Sequence, residues 1–263
     1  MKIYVLAENT ANDGFELEHG LSLYISTDEI NILFDMGQSD LFIRNAARLG
    51  LDLSSVDMAV LSHGHYDHGG GIRAFMEINH TATVFVSAKA FGDYYNGEEK
   101  YIGIDKALCC DKRIKTIDKN DFLLASGVRV VTLNHSISDD SIDSAGLTVK
   151  NGTEYEAETF LHEQYMIVEH KGKRIVFSGC SHKGAVNIAK ELKPDVFIGG
   201  FHYSKIPVNG DGASRLYDYG KQLMSFGCKC YTCHCTGKAQ FELLKKIMGD
   251  GVEYISAGAV IEI

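Results

Sequence analysis

A layered α/β fold is predicted by three observations. Short apolar runs of strand length recur along the chain. Segments with helical spacing separate many of them. Several of the strand-like runs end in loops that carry His, Asp or Cys, as expected where strands and helices share one layered core.

The elements follow in order. Residues 2–6, 21–26 and 30–34 read as strands with turn chemistry between them. Residues 40–49 have helical spacing, with Leu41, Ile43, Ala46, Ala47 and Leu49 apolar and Gly50 as the stop. Residues 56–61 form a short buried strand. A helix over 71–78 and a strand over 83–86 follow. Residues 92–120 resist assignment and read as an insert. Strands are expected at 128–133, 165–169, 174–177, 196–199 and 229–232, and a closing strand at 254–263. Helices are expected at 186–192, 213–226 and 238–248.

The chain has 263 residues and 45% apolar content, enough for a substantial core, and no linker or composition shift divides it. One domain over 1–263 is the expectation. Net charge is −9, from 26 Lys+Arg against 35 Asp+Glu, with no basic stripe. This argues against a nucleic-acid partner and leaves a small molecule as the expected one. The opening Met-Lys-Ile-Tyr-Val-Leu-Ala reaches Glu8 and Asn9 too soon for a signal peptide. No apolar run approaches the roughly 18 residues of a membrane span. Seven cysteines, an odd number, suit a reducing cytoplasm. Nothing in the sequence specifies an oligomeric state.

Residues 61–71 read Leu-Ser-His-Gly-His-Tyr-Asp-His-Gly-Gly-Gly. Four metal-capable side chains, His63, His65, Asp67 and His68, fall within six positions. Alternate residues of an extended segment point to one side, so His63 and His65 can share an ion. Asp67 and His68 would then lie on the turn or at the start of the next helix, facing the same cavity. Neutral imidazoles with one carboxylate suit zinc, manganese or iron better than calcium or magnesium.

Other strand ends offer further donors. Cys180 and His182 leave the strand over 174–177, and cysteine binds metal as the thiolate. His234 lies where a strand gives way to a helix, with Thr236 placed to cap that helix. Cys228, Cys230, Cys233 and Cys235 surround it, spaced more tightly than zinc knuckles prefer. They read as reduced thiols on a strand. His162 precedes the strand over 165–169, and Glu163 beside it could orient a ligand. His202, at the end of Gly-Gly-Phe-His, could hydrogen-bond substrate instead of metal. Asp35 could hold a ligand imidazole from behind. His19, His80, His135 and His170 sit in no comparable context.

The run Ser62-His-Gly-His-Tyr-Asp-His68 resembles the metal motif of the metallo-β-lactamase superfamily. Phe34-Asp-Met-Gly-Gln-Ser39, Gly179-Cys-Ser-His182, Gly199-Gly-Phe-His202 and His234-Cys-Thr-Gly237 look like a narrower branch. That branch includes an archaeal dihydropterin synthase, which joins a pterin diphosphate to a ribofuranosyl-aminobenzene phosphate. The resemblance implies a four-layer αβ/βα sandwich with two metal subsites at one edge, between the sheets. His63 and His65 would bind the first ion, and Asp67 and His68 the second. Cys180 stands where many members carry a bridging aspartate, and His234 matches the last histidine of the second subsite. The third histidine of the first subsite is either His162, which lacks the usual small-residue turn, or His182, the preferred candidate. A thiolate in the aspartate's place favours zinc or iron over manganese.

The chemistry expected is metal-dependent hydrolysis of a phosphoester, ester or lactone-type bond. A dinuclear pair of divalent transition metals, zinc foremost, would activate water. Asp67 would serve as base. The substrate would be a small anion, with Ser181, Lys183, Gln38 and Ser39 as further candidates to position it. Two alternatives stand beside this: a transferase displacing diphosphate from a pterin, with Tyr66, Phe201 or Tyr203 stacking on the ring, and a non-enzymatic metal or redox sensor using the cysteine tract.

Overall fold

The computed structural model describes residues 1–138 and 142–263. The chain forms two compact units: Met1–Lys119, Gly146–Gln164 and Ser256–Ile263 in one, Asn120–Ala145 and Tyr165–Ile255 in the other.

The first unit is built on a seven-stranded sheet. Its order is Val260–Glu262, Lys2–Ala7, Ser22–Ser26, Asn31–Phe34, Met58–Val60, Thr83–Ser87, Ile114–Ile117. The first three pairings are antiparallel and the last three parallel. Parallel neighbours need crossovers. Helix Leu41–Arg48 supplies one, and helices Tyr66–Gly69 and Ile72–Ile78 supply the next. Leu41, Phe42, Asn45 and Ala46 form the buried side of Leu41–Arg48, against a core that includes Leu6, Leu33, Met36 and Phe75. Full burial of Phe42 alone stabilises by about 2–3 kcal/mol. The insert at 92–120 is no longer opaque. Tyr94–Asn96 and Lys100–Tyr101 join Leu147–Asn151 and Glu154–Ala157 in a four-stranded antiparallel sheet.

The second unit repeats the plan. Its sheet runs Val252–Tyr254, Lys229–Thr232, Val196–Gly199, Lys173–Ser178, Tyr165–His170, Val128–Val131, Asp121–Ala125. Here too three pairings are parallel and three antiparallel. Helices Ala185–Leu192, Gly210–Ser225 and Lys238–Met248 make the parallel crossovers and bury Ile188, Leu216, Leu223 and Leu244 against Val176 and Phe197.

Two expectations are corrected. The single closing strand is two strands, Val252–Tyr254 in the second unit's sheet and Val260–Glu262 in the first unit's. Thr236 does not cap Lys238–Met248: Gly237 holds the cap position, without a side-chain bond. The Thr236 hydroxyl instead accepts the Phe201 N–H at 2.8 Å and pairs with the Thr232 hydroxyl. It ties two strand ends together where it was expected to start a helix.

Candidate metal centre

In both units the chemistry-bearing residues follow the carboxyl ends of parallel strands, where open α/β sheets place their ligands. In the first unit, Asp35 follows Asn31–Phe34 and the histidine run follows Met58–Val60. In the second, Cys180, His202 and His234 follow Lys173–Ser178, Val196–Gly199 and Lys229–Thr232. Asp35, Ser181, His202 and His234 all adopt left-handed φ, between 50° and 57°. Such conformations cost energy and gather at functional sites.

The first unit brings His63, His65, Asp67 and His68 together, each buried. The ring centroid of His63 lies 4.6 Å from that of His65 and 4.2 Å from that of His68. His65 ends the extended stretch, and Asp67 and His68 lie on the short helix Tyr66–Gly69. Gly64 is required between the two histidines, because a Cβ there would stand 2.1 Å from the Ala90 carbonyl oxygen.

Hydrogen bonds set the tautomer of each ring. Asp35 is fully buried and accepts from the Ser62 N–H, the Ser62 hydroxyl and His68 Nδ1, each at 2.7 Å. Ser62 has one hydroxyl proton, and Asp35 takes it. The 2.8 Å contact between Ser62 Oγ and His63 Nδ1 must then be donated by the imidazole. His63 and His68 therefore both carry their proton on Nδ1 and their lone pair on Nε2. Asp35 acts on both rings, the arrangement by which carboxylates orient metal-binding histidines.

Glu158 performs the same service for His65, accepting from its Nε2 at 3.3 Å. The proton on Nε2 leaves the lone pair of His65 on Nδ1. Glu158 also receives the Nε2–H of His162, while His162 Nδ1 accepts the Gly64 N–H at 2.8 Å. Both ring nitrogens of His162 are thus committed inside the first unit, where they fix the loop that carries His63 and His65. Burial keeps the His162 imidazole below its ordinary range, and neutral. Burial would raise the Glu158 carboxyl, but its interactions with His162 and His65 outweigh it and hold it down to about 2. The Tyr94 ring covers His162, with centroids 4.1 Å apart.

Asp67 has a partner that sequence reasoning passed over. Asn9 accepts the Gly20 N–H through its Oδ1, which turns its amide nitrogen toward His19 Nδ1 at 3.2 Å. His19 must then carry its proton on Nε2, 3.2 Å from Asp67 Oδ2. Glu158 was missed as well; Glu163, beside His162, had been singled out. Ser39 and Gln38 lie at the helix entrance, where Glu18 accepts from both their N–H groups and from the Ser39 hydroxyl at 2.5 Å.

The second unit has its own donor cluster. One ligand atom each from Cys180, His182 and His202 lie within 4.8 Å of one another, and so do those of Cys180, His234 and Cys235. His182 and His202 rings are 4.4 Å apart. The Ser181 hydroxyl meets that of Ser178 at 2.9 Å. Burial would raise the Cys235 thiol, yet hydrogen bonding with Cys180 and His202 holds it well below its ordinary range. Lys183 is buried, not solvated, and donates to Asn134 Oδ1 at 2.6 Å. Cys228 and Cys230 lie in the apolar core with sulfurs 3.7 Å apart, and among the described residues no cysteine is in a disulfide. A cavity of about 370 Å³ opens beside His182 and His202, with Phe201, Tyr203, Lys205 and Arg215 in its wall.

In the first unit, imidazoles with their far nitrogens anchored and a buried carboxylate suit a transition metal; so, in the second, do thiols beside imidazoles. Among the described residues no helix is long and apolar enough to cross a membrane.

Comparisons agree with this chemistry. The family model of the metallo-beta-lactamase superfamily matches residues 16–209. An uncharacterized protein of Methanocaldococcus jannaschii is 31% identical over 266 residues, covering 93% of each chain. The 7,8-dihydropterin-6-methyl-4-(beta-D-ribofuranosyl)-aminobenzene-5'-phosphate synthase of the same organism is 29% identical, over 100% of this chain and 96% of its own. The crystal structure of a metal-dependent hydrolase of the beta-lactamase superfamily aligns with a TM-score of 0.82 and 27% identity, over 100% of this chain and 99% of the other. The α/β fold, the histidine run and these matches lead to one conclusion: the chain belongs to the metallo-beta-lactamase superfamily.

Proposed function

We propose that this protein is a metal-dependent hydrolase with a dinuclear centre, acting on a phosphoester, ester or lactone-type bond of a small anionic substrate. The proposed ligands are His63, His65, Asp67 and His68 of the first unit and Cys180, His182 and His234 of the second. The observation that carries this reading is the Asp35–Ser62 hydrogen-bond set. It spends a buried carboxylate on holding two imidazoles in the tautomer that binds metal. His182 is preferred to His162 as a ligand because both nitrogens of His162 already have partners.

Bound there, divalent metals supply Lewis acidity to polarise the scissile bond and acidify water. The protein's residues do the rest. Asp67 takes up the proton of the attacking water, and His19, held by Asn9, orients the carboxylate. Arg215 and Lys205 in the cavity wall favour an anionic group, and Phe201 and Tyr203 favour an apolar or aromatic portion beside it.

The test is a panel of phosphodiesters, lactones and thioesters. Wild type should hydrolyse at least one class and Asp67→Ala should not. Full activity in His63→Ala would refute the site. A second reading, a transferase displacing diphosphate from a pterin, is favoured by the 29% identity that spans the whole chain. It prevails if the panel is inert and a pterin diphosphate is consumed only when an arylamine is supplied.

A further inference from the structure

We propose that Cys235 is a second thiolate ligand beside Cys180, with His202 as an added imidazole donor, so that the second unit holds a sulfur-rich site for a thiophilic cation. This rests on the metal reading above and goes beyond it by fixing which class of metal the site selects.

The geometry comes from two overlapping triads. The donors of Cys180, His234 and Cys235 are mutually within 4.8 Å, as are those of Cys180, His182 and His202. Two donors on one zinc ion, at about 2.0–2.3 Å each, are separated by at most about 4.6 Å, so each triad is close to the span of a common ion. Cys180 belongs to both.

Cys235 is held toward that cluster by the backbone around it. A Cβ on Gly200 would stand 2.5 Å from the Cys235 sulfur, so the missing side chain at 200 makes the room that the thiol fills. The short turn His234–Thr236 begins with His234 at φ 50°, which brings two successive side chains toward Cys180. Thr236 locks the turn through the Phe201 N–H and the Thr232 hydroxyl. The Cys235 thiol also lies 3.5 Å from the Cys180 carbonyl oxygen.

Cys228 and Cys230 make the contrast. They too are buried, but in the apolar core, where a free cysteine behaves as a small hydrophobe. The surroundings of Cys235 are cysteine, histidine and bare backbone. On binding, each thiol releases its proton to solvent and ligates as the thiolate. Two thiolates select zinc or ferrous iron over manganese and magnesium.

Cobalt(II) substitution of the whole chain, without air, tests this. Visible d–d bands report that the ion is bound, and near-ultraviolet sulfur-to-cobalt charge transfer reports thiolate ligands. The charge-transfer band should fall to roughly half in Cys235→Ser and in Cys180→Ser, vanish in the double variant, and stay unchanged in Cys228→Ser. An undiminished band in Cys235→Ser, with visible bands retained, overturns the proposal and leaves the hydrolase reading intact. If wild type binds no cobalt at all, the metal reading itself falls. Should Cys235→Ser fail to fold, X-ray absorption of wild type loaded with one zinc per chain decides. About two sulfur neighbours at roughly 2.3 Å are expected, and one contradicts the proposal.

Discussion

Replacing Asp35 by asparagine removes the anchor of two imidazoles at once while changing almost no volume. Asp35 accepts three hydrogen bonds at 2.7 Å with no exposure to water. Asparagine keeps one oxygen, enough for the Ser62 N–H, but sets an amide NH₂ against the Ser62 hydroxyl and His68 Nδ1–H. Donor would face donor. The cheapest relief turns His68 to its other tautomer, with the proton on Nε2, the atom that the proposed centre uses for metal. Loss of such an orienting carboxylate weakens metal binding by about 10- to 100-fold, or roughly 1.4–2.8 kcal/mol. Two lost charge-assisted bonds should also lower the stability of the metal-free protein by about 3–6 kcal/mol. Zinc affinity would be measured by competition with a chromophoric chelator, and stability by urea unfolding. Asp35→Asn that binds zinc within about threefold of wild type would refute the tautomer argument.

Other perturbations separate neighbouring roles. Gly64→Ala should cost about 1–3 kcal/mol in urea unfolding, because its Cβ would meet the backbone oxygen of Ala90 and not a movable side chain. His162→Ala should destabilise by about 3 kcal/mol, since it leaves the Gly64 N–H and Glu158 short of a partner. It should nonetheless bind the wild-type metal complement, measured by elemental analysis, whereas His182→Ala should lose metal. His19→Ala should lower kcat by about 10-fold with little change in metal content, if His19 acts only by orienting Asp67; unchanged kcat would remove it from the account.

The sequence was most legible where burial and periodicity agree. Val196–Gly199, Lys229–Thr232 and Lys238–Met248 appear at their expected bounds. The histidine run was legible because its metal-capable side chains are adjacent in the chain. Long-range partners were not. Glu158 reaches His65 across 93 positions and His19 reaches Asp67 across 48, and neither has a local pattern to mark it. The four-stranded sheet went unread because its strands are short and half polar, as in Glu154–Ala157 and Lys100–Tyr101. Its signal was in the turns. Asn96 and Asn151 are the last residues of their strands, Gly97 and Gly152 follow them, and both glycines have positive φ, the chemistry that hairpin turns demand. Thr236 misled because a threonine before a helix reads as a cap, while the fold uses its hydroxyl to bind a neighbouring strand end.

The central claim is that these donors hold metal for catalysis, and metal analysis of the protein purified without air tests it most directly. The account predicts about two equivalents of a thiophilic transition metal, zinc or iron, per chain, with a large loss in His63→Ala. Fewer than about one equivalent in wild type, or an undiminished complement in His63→Ala, would contradict it.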